Sequence, residues 1–229
     1  FNEGELGGLC ILRGCMPTKT MLHSAHLAHH ARHPGPSGVA ATDPGIDFAQ
    51  VMRNKAAKVE RFKTAKIGGI EKGGYDVIDA RARFAGANRV AAGGREYTFT
   101  RGAIIAPGSV PHRPHIAGVE SVPTWNSDDV MALTEQPRSV LVVGTGAIGL
   151  ELAQFFARIG TKVQVISRRP VSINYGSLIS EEMMRTLRDE PNLTLWAPAT
   201  PHAVRQNATG QIELEIETAS EQQTLTGDH

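Results

Sequence analysis

The chain reads Ser-Val-Leu-Val-Val-Gly-Thr-Gly-Ala-Ile-Gly from residue 139 to residue 149. Residues 139–143 are an apolar run typical of a strand in a parallel sheet covered on both faces. Residues 147–159 have the apolar periodicity of an amphipathic helix, which Gly160 ends. Residues 162–166 (Lys-Val-Gln-Val-Ile) indicate a second strand. The stretch therefore predicts a strand–helix–strand unit of an α/β fold.

Three glycines of this stretch follow the spacing G-x-G-x-x-G. Gly144 allows a tight turn, Gly146 lets the backbone approach a pyrophosphate, and Gly149 lets helix and strand pack closely. The helix that follows offers unpaired N–H groups and a positive dipole to phosphates. An ordinary glycine turn is the alternative, since the motif alone is a weak signal. Its place directly between a strand and a helix favours a dinucleotide site.

The residues after the second strand bear on which nucleotide is bound. Sites for NAD usually carry an acid there, which binds the ribose hydroxyls. This chain has Ser167, Arg168 and Arg169 instead. A carboxylate would repel a 2′-phosphate, whereas arginine binds one with two hydrogen bonds. The pattern favours NADPH over NADH, although a solvated loop is the alternative interpretation of the two arginines.

The rest of the chain is predicted from periodicity and turn residues. Helices are predicted over 17–31, 47–71 and 180–188. Strands are predicted over 75–78, 89–92, 96–100, 102–106, 193–196 and 212–216, with a hairpin turn at 93–94. The Pro-rich segment 111–123 reads as a linker, so the chain is expected to divide near residue 120.

Composition excludes several classes of protein. The formal net charge is +1, so no nucleic-acid footprint and no polybasic membrane patch is indicated. No apolar run approaches the roughly 20 residues that span a bilayer. Only two cysteines are present, which argues against a disulfide-stapled secreted domain. We therefore expect a cytoplasmic protein without nucleic-acid or membrane partners.

The two cysteines are Cys10 and Cys15, and Pro17 starts the predicted helix just after the second. A thiolate at a helix N-terminus is stabilised by the positive end of the dipole. Redox chemistry, a metal site and two inert buried thiols are the alternatives. Zinc would need further ligands at motif spacing. Four histidines do share one helical face, but we interpret them as a solvated polar face: His23, His26, His30 and His33.

The segment Gly7-Gly8-x-Cys10-x4-Cys15-x-Pro17-Thr18-Lys19 resembles the active-site signature of the pyridine nucleotide-disulfide reductases. Residues 104–109 resemble the "ATG" segment of that family, with Pro107 in place of Thr. Residues 144–151 resemble its second nucleotide motif. The order of the three motifs is more specific than any one of them, and the resemblance covers essentially the whole chain.

The resemblance implies two Rossmann-like, three-layer nucleotide-binding domains, both incomplete. Residues 1–120 would be part of an FAD-binding domain with a redox-active disulfide, and residues 121–229 part of an NAD(P)-binding domain. The family's first G-x-G-x-x-G and its C-terminal dimerisation domain are expected to lie outside this chain. The full-length protein would then be a homodimer, and the chain alone would not complete turnover.

The resemblance also implies roles for individual residues. Cys15 would contact the flavin and Cys10 would attack the substrate, while Lys19 would lie near flavin N5, buried and paired with Glu151. FAD would be held by Gly7, Gly8, Ala106, Gly108 and Ser109. NAD(P)H would be held by Gly144, Gly146, Ala147, Ile148, Gly149, Ser167, Arg168 and Arg169.

The activity implied is electron transfer from NADPH, or NADH, through FAD to the disulfide and on to an acceptor. Trp125 and the arginines after the second strand look most like mercuric reductases, whose acceptor is Hg(II). Lipoamide dehydrogenase is the second possibility and glutathione reductase the third, each with a small disulfide or dithiol substrate. A nucleotide-binding remnant without catalysis is the alternative from a different class.

Overall fold

The computed structural model describes residues 1–171 and 176–229, which form two compact units. The first unit comprises residues 1–17 and 56–110, and the second comprises residues 18–55 and 111–229. The predicted assignment of FAD- and NAD(P)-binding portions on either side of residue 120 stays a prediction. None of the described helices is long and apolar enough to cross a membrane.

The described residues form six α-helices and nine strands in three sheets. The helices are Leu9–Leu12 (α1), Cys15–Arg32 (α2), Phe48–Glu71 (α3), Ser127–Val130 (α4), Ala147–Arg158 (α5) and Ser177–Arg188 (α6). The strands are Ala82–Gly86 (β1), Arg89–Ala92 (β2), Arg95–Thr98 (β3), Ser139–Val143 (β4), Lys162–Ile166 (β5), Leu193–Trp196 (β6), Thr200–Gln206 (β7), Ile212–Glu217 (β8) and Gln222–Gly227 (β9).

A parallel sheet in the order β4-β5-β6 organises the second unit, and α5 connects β4 to β5. The register places Val143 beside Ile166, so β4 and β5 end level with each other. On the other edge of β4, the Leu141 N–H donates to the His229 carbonyl at 2.7 Å. The predicted α/β, Rossmann-like fold class is therefore confirmed.

The core of the second unit lies between this sheet and its helices. The apolar face of α5 contributes Phe155 and Phe156, which are 0% and 3% exposed, and β5 contributes the fully buried Val165. Met21 of α2 and Val51 of α3 belong to the same cluster. Burial of this size fixes α5 against the sheet, because each large apolar side chain contributes roughly 1.5–3 kcal/mol.

An antiparallel sheet, β7-β8-β9, completes the second unit. The buried side of β8 is Ile212, Leu214 and Ile216, as the predicted alternation requires. The segment 111–123, predicted as a linker, is instead tied to β7. Val204 N–H donates to the Ala117 carbonyl at 2.8 Å, and Ile116 is buried. The linker prediction was wrong because proline content was weighed above the apolar residues between the prolines.

The first unit contains the sheet β1-β2-β3. The predicted hairpin turn is confirmed, because Gly93 and Gly94 have φ of 56° and 77° and join β2 to β3.

Two strand predictions for the first unit were wrong. Residues 75–78 and 102–106 have no strand structure, and Ile104 is 96% exposed. Within the described ranges, neither segment belongs to any of the three sheets. An apolar run becomes a strand only where a neighbour takes its backbone hydrogen bonds along its length. Segment 75–78 has one such bond at its end, from the Asn2 N–H to the Ile78 carbonyl at 2.9 Å, and no ladder follows from it within the described residues.

Candidate functional site

The loop after β4 has the geometry that its glycines predict. Gly144 has φ of 114°, a conformation that side chains disfavour, and its N–H donates to the Ile166 carbonyl at 2.8 Å. A Cβ added to Gly149 would lie 2.7 Å from the Gly144 carbonyl oxygen. Because this is closer than real Cβ contacts come, only glycine lets α5 approach the end of β4 at this point.

The N-terminus of α5 is open to an anion. Gly146 is the N-cap and supplies no side-chain cap. The first N–H groups of the helix, on Ala147, Ile148 and Gly149, therefore have no intrahelical acceptor. A Cβ added to Gly146 would meet no atom within 4 Å, and Ile148 is 58% exposed. A pyrophosphate fits this cradle of backbone donors.

The residues after β5 lie beside this loop. The Thr145 and Ser167 hydroxyl oxygens are 2.9 Å apart, and the Ser167 hydroxyl donates to the Arg169 carbonyl at 2.8 Å. Both Arg168 and Arg169 are exposed. Over residues 1–171 and 176–229, no carboxylate forms an ion pair with either guanidinium. Both positive charges are thus available to an anionic ligand.

Thr145 is a neighbour of Ser167 that the sequence pattern did not single out. The motif assigns functions to its glycines and none to the residue between the first two. A signal was nevertheless present, since parallel strands joined by one helix end level with each other. A hydroxyl just past the first strand and another just past the second are then expected to be neighbours.

The two cysteines flank the start of α2. Cys10 lies in α1 and Cys15 is the first residue of α2, two residues before Pro17. The helix thus begins earlier than predicted, with proline still in its first turn, where it costs no hydrogen bond. Both cysteines are exposed. Cys15 is therefore accessible and lies at the positive end of a helix.

Lys19 and Glu151 are brought together as predicted. Lys19 Nζ lies 3.6 Å from Glu151 Oε1. The expectation that this lysine is buried was wrong, because the two side chains are 65% and 38% exposed. An exposed pair of this kind contributes about 0–1 kcal/mol to stability.

The segments predicted to contact FAD have backbone conformations suited to a close ligand. Gly8 has φ of 80°, and a Cβ added to it would meet no atom within 4 Å. Gly7 differs, because a Cβ there would lie 3.0 Å from the Leu12 side chain. Residues 106–109 are exposed and irregular, and they include Ala106, Gly108 with φ of 76°, and Ser109. Their role toward FAD stays a prediction.

The histidines of α2 form no metal site in the part of the chain that the structure describes. His29, which the predicted polar face omits, lies 3.4 Å from the carboxylate of the buried Glu190. Arg158 donates to both oxygens of that carboxylate, at 2.9 Å each. Burial first, and then the charge of Arg158, lower the pKa of His29 and of His26 below 6.5. The cluster is a buried polar network that joins α2 to α5.

Several curated proteins have similar sequences. The mercuric reductase of Shigella flexneri is 33% identical over 83% of this chain, and that of Acidithiobacillus ferrooxidans is 31% identical over 83%. The dihydrolipoyl dehydrogenase of Bacillus subtilis (strain 168) is 30% identical over 100% of the chain. This chain spans only 35%, 36% and 49% of the lengths of these three relatives.

A solved structure supports the fold. The HOCl-induced flavoprotein disulfide reductase from Escherichia coli superposes with a TM-score of 0.76 at 23% identity, over 99% of this chain and 48% of that one. The model of the family described as pyridine nucleotide-disulphide oxidoreductase matches residues 3–228. Because this match covers nearly every residue, the chain belongs to the pyridine nucleotide-disulphide oxidoreductase family.

Proposed function

We propose that the protein carries electrons from NADPH, through FAD, to a Cys10–Cys15 disulfide and on to a small acceptor, as a mercuric reductase does. The observation that carries this proposal is the Cys pair, with both side chains exposed and Cys15 at the N-terminus of α2. Bound FAD supplies the chemistry of accepting a hydride and releasing two electrons singly or together.

Each group of residues has a distinct task in this proposal. The open N-terminus of α5 binds the pyrophosphate of the nucleotide, and Gly149 keeps that helix end beside β4. Two electrons and one proton, together equivalent to a hydride, break the S–S bond and leave one thiol and one thiolate. Cys15 is the sulfur on the flavin side, while Cys10 is the thiol that attacks the acceptor. Lys19, which contacts Glu151, would lie beside the flavin.

The preference for NADPH rests on the charges after β5. Arg168 and Arg169 are exposed, and no acid occupies position 167. A 2′-phosphate carries negative charge that a guanidinium binds bidentately, whereas the ribose hydroxyls of NADH offer no charge to it. Replacing both arginines by Glu should therefore raise the KM for NADPH far more than that for NADH. An equal rise for both nucleotides would contradict the preference.

The electron path is tested on the full-length protein. It should be yellow, and anaerobic addition of two electrons should give a long-wavelength thiolate-to-flavin absorption band. Cys15→Ser should abolish this band. Cys10→Ser is the matched control, because it removes the other thiol and should keep the band. A band that survives Cys15→Ser would overturn the assignment, and a full-length protein without flavin would favour a nucleotide-binding remnant.

The acceptor is decided by comparing Hg(II) with lipoamide under NADPH. Hg(II) takes two electrons to become Hg(0), and we expect it to be the better acceptor. The second candidate is lipoamide, because the Bacillus subtilis relative that aligns over the whole chain is named a dihydrolipoyl dehydrogenase. Faster turnover with lipoamide would favour that candidate. A cytoplasmic homodimer is part of the proposal, and size-exclusion chromatography of the full-length protein tests the dimer.

A further inference from the structure

Two hydroxyl groups and one carbonyl form a chain of hydrogen bonds between the loops after β4 and β5. The Ser167 hydroxyl lies 2.8 Å from the Arg169 carbonyl, which can only accept. Its single proton is therefore used there. The Thr145 hydroxyl, 2.9 Å from the Ser167 oxygen, must then be the donor of that bond. The direction of the chain is thus fixed from Thr145 to Ser167 to Arg169.

Ser167 has no capacity left for a ligand. Its oxygen accepts from Thr145 and also lies 3.4 Å from the Arg169 N–H, so its proton and both its lone pairs are engaged. A carboxylate at this position, as in usual NAD sites, could not donate to the Arg169 carbonyl. The Ser167 hydroxyl therefore stabilises its own turn through the bond to the Arg169 carbonyl, and it is not available to bind a ribose directly.

We infer that Thr145 and Ser167 are positioning residues that set the preference for a 2′-phosphate. The inference rests on the proposed NADPH preference. Thr145 is part of the loop that faces the pyrophosphate, and through Ser167 it fixes the backbone of Arg169. The turn that carries Arg168 and Arg169 is thereby held at one distance from the pyrophosphate cradle. NADPH requires this, because the separation of its 2′-phosphate from its pyrophosphate is fixed. Ser167, predicted to contact the cofactor, acts through Arg169 instead.

The test uses two nucleotide fragments that differ only in the 2′-phosphate, 2′,5′-ADP and 5′-AMP. Calorimetric titration of the chain gives a dissociation constant for each fragment, and their ratio measures recognition of the 2′-phosphate. Thr145→Val removes the hydroxyl at constant shape, and Ser167→Ala removes the middle of the chain. Each should reduce the ratio by about threefold to tenfold, the value of one hydrogen bond. The double variant should lose no more than either single variant, because one chain is broken in both.

Two controls separate positioning from general damage. Thr145→Ser keeps the hydroxyl and should keep the ratio within about twofold of the wild-type value. Thr194→Val makes the same change at an exposed site on β6 and should leave both constants unchanged. Circular dichroism confirms that each variant is folded.

Three other outcomes would each overturn the inference, and the first of them would also overturn the NADPH preference. If the wild-type chain does not bind 2′,5′-ADP more tightly than 5′-AMP, the NADPH preference fails and this inference fails with it. If the wild-type chain discriminates and Thr145→Val discriminates equally well, the inference alone is overturned. An equal loss of both fragments in Thr145→Val also overturns it, because the hydroxyl would then support only the pyrophosphate loop.

Discussion

The close approach of α5 to β4 gives a prediction whose size follows from one distance. In Gly149→Ala, the new Cβ would lie 2.7 Å from the Gly144 carbonyl oxygen, whereas ordinary contacts begin at 3.4 Å. The helix or the carbonyl must therefore move by 3.4 − 2.7 = 0.7 Å. Neither moves easily, because Phe155 and Phe156 of the helix are buried and the carbonyl belongs to the backbone.

Two opposing effects determine the change in stability. Overpacking of a well-packed site costs about 1–3 kcal/mol. Alanine gains up to about 1 kcal/mol over glycine within a helix. The overpacking is the larger effect, and we expect Gly149→Ala to lower the free energy of unfolding by about 1–2 kcal/mol.

Urea unfolding followed by tryptophan fluorescence measures this change. The chain has two tryptophans, Trp125 and Trp196, and both lie in the second unit, so the signal reports on the unit that contains the substitution. Gly146→Ala is the matched control from the same loop. Its φ of −71° and its open surroundings accept a side chain, so its unfolding midpoint should stay near that of the wild type. A wild-type midpoint for Gly149→Ala would refute the argument from close approach.

Three further predictions concern charged groups. Glu190→Ala should lower the free energy of unfolding by about 3–5 kcal/mol in urea titrations, because it leaves the largely buried Arg158 without its carboxylate. A loss below about 1 kcal/mol would contradict the stabilising role of the network of His29, Arg158 and Glu190. Burial holds the pKa of His29 below 6.5, so the unfolded chain binds more protons below that pH. The contribution of His29 to the free energy of unfolding should therefore be complete above pH 6.5 and decline as the pH falls toward its folded pKa. His29→Gln should make the urea midpoint depend less on pH over this range. A pH dependence equal to that of the wild type would contradict this prediction. Lys19→Met removes the exposed pair with Glu151 and should change the unfolding free energy by less than about 1 kcal/mol, and a larger loss by the same titration would show that the pair supports the fold.

The parallel sheet was predictable from the sequence because each of its strands has a recognisable local pattern of residues. The bounds of β4, β5 and β6 match the predicted ones at every residue. Each is a short run bounded by turn residues, and α5 between the first two has an unambiguous period. In contrast, β1 was missed because all of its side chains are exposed and its residues show no alternation.

Segment 102–106 shows the opposite error. Its apolar residues predict a buried strand, yet Ile104 and Ile105 are 96% and 71% exposed. An apolar segment is more stable when it is buried, but it forms a strand only where a neighbouring strand can pair with it. In the site, the family resemblance correctly predicted the pairing of Lys19 with Glu151. It wrongly predicted that Lys19 is buried. Contacts between residues far apart in sequence, such as His29 with Glu190, left no local pattern to find.

In the proposed mechanism, helix α5 carries both the pyrophosphate cradle and the partner of Lys19. Its N-terminus forms the pyrophosphate cradle, and Glu151, one turn further on, contacts Lys19 of α2. The contact is too exposed to hold α2 in place, and α2 is secured without it, because Met21 and Ala25 are 1% and 0% exposed. What the pair does is bring one ammonium group to the same turn of α5 that follows the nucleotide-binding end. Because the buried face of α5 packs into the core, Glu151 keeps its place relative to the N-terminus of that helix, and the partner of Lys19 is fixed even though the lysine side chain is exposed.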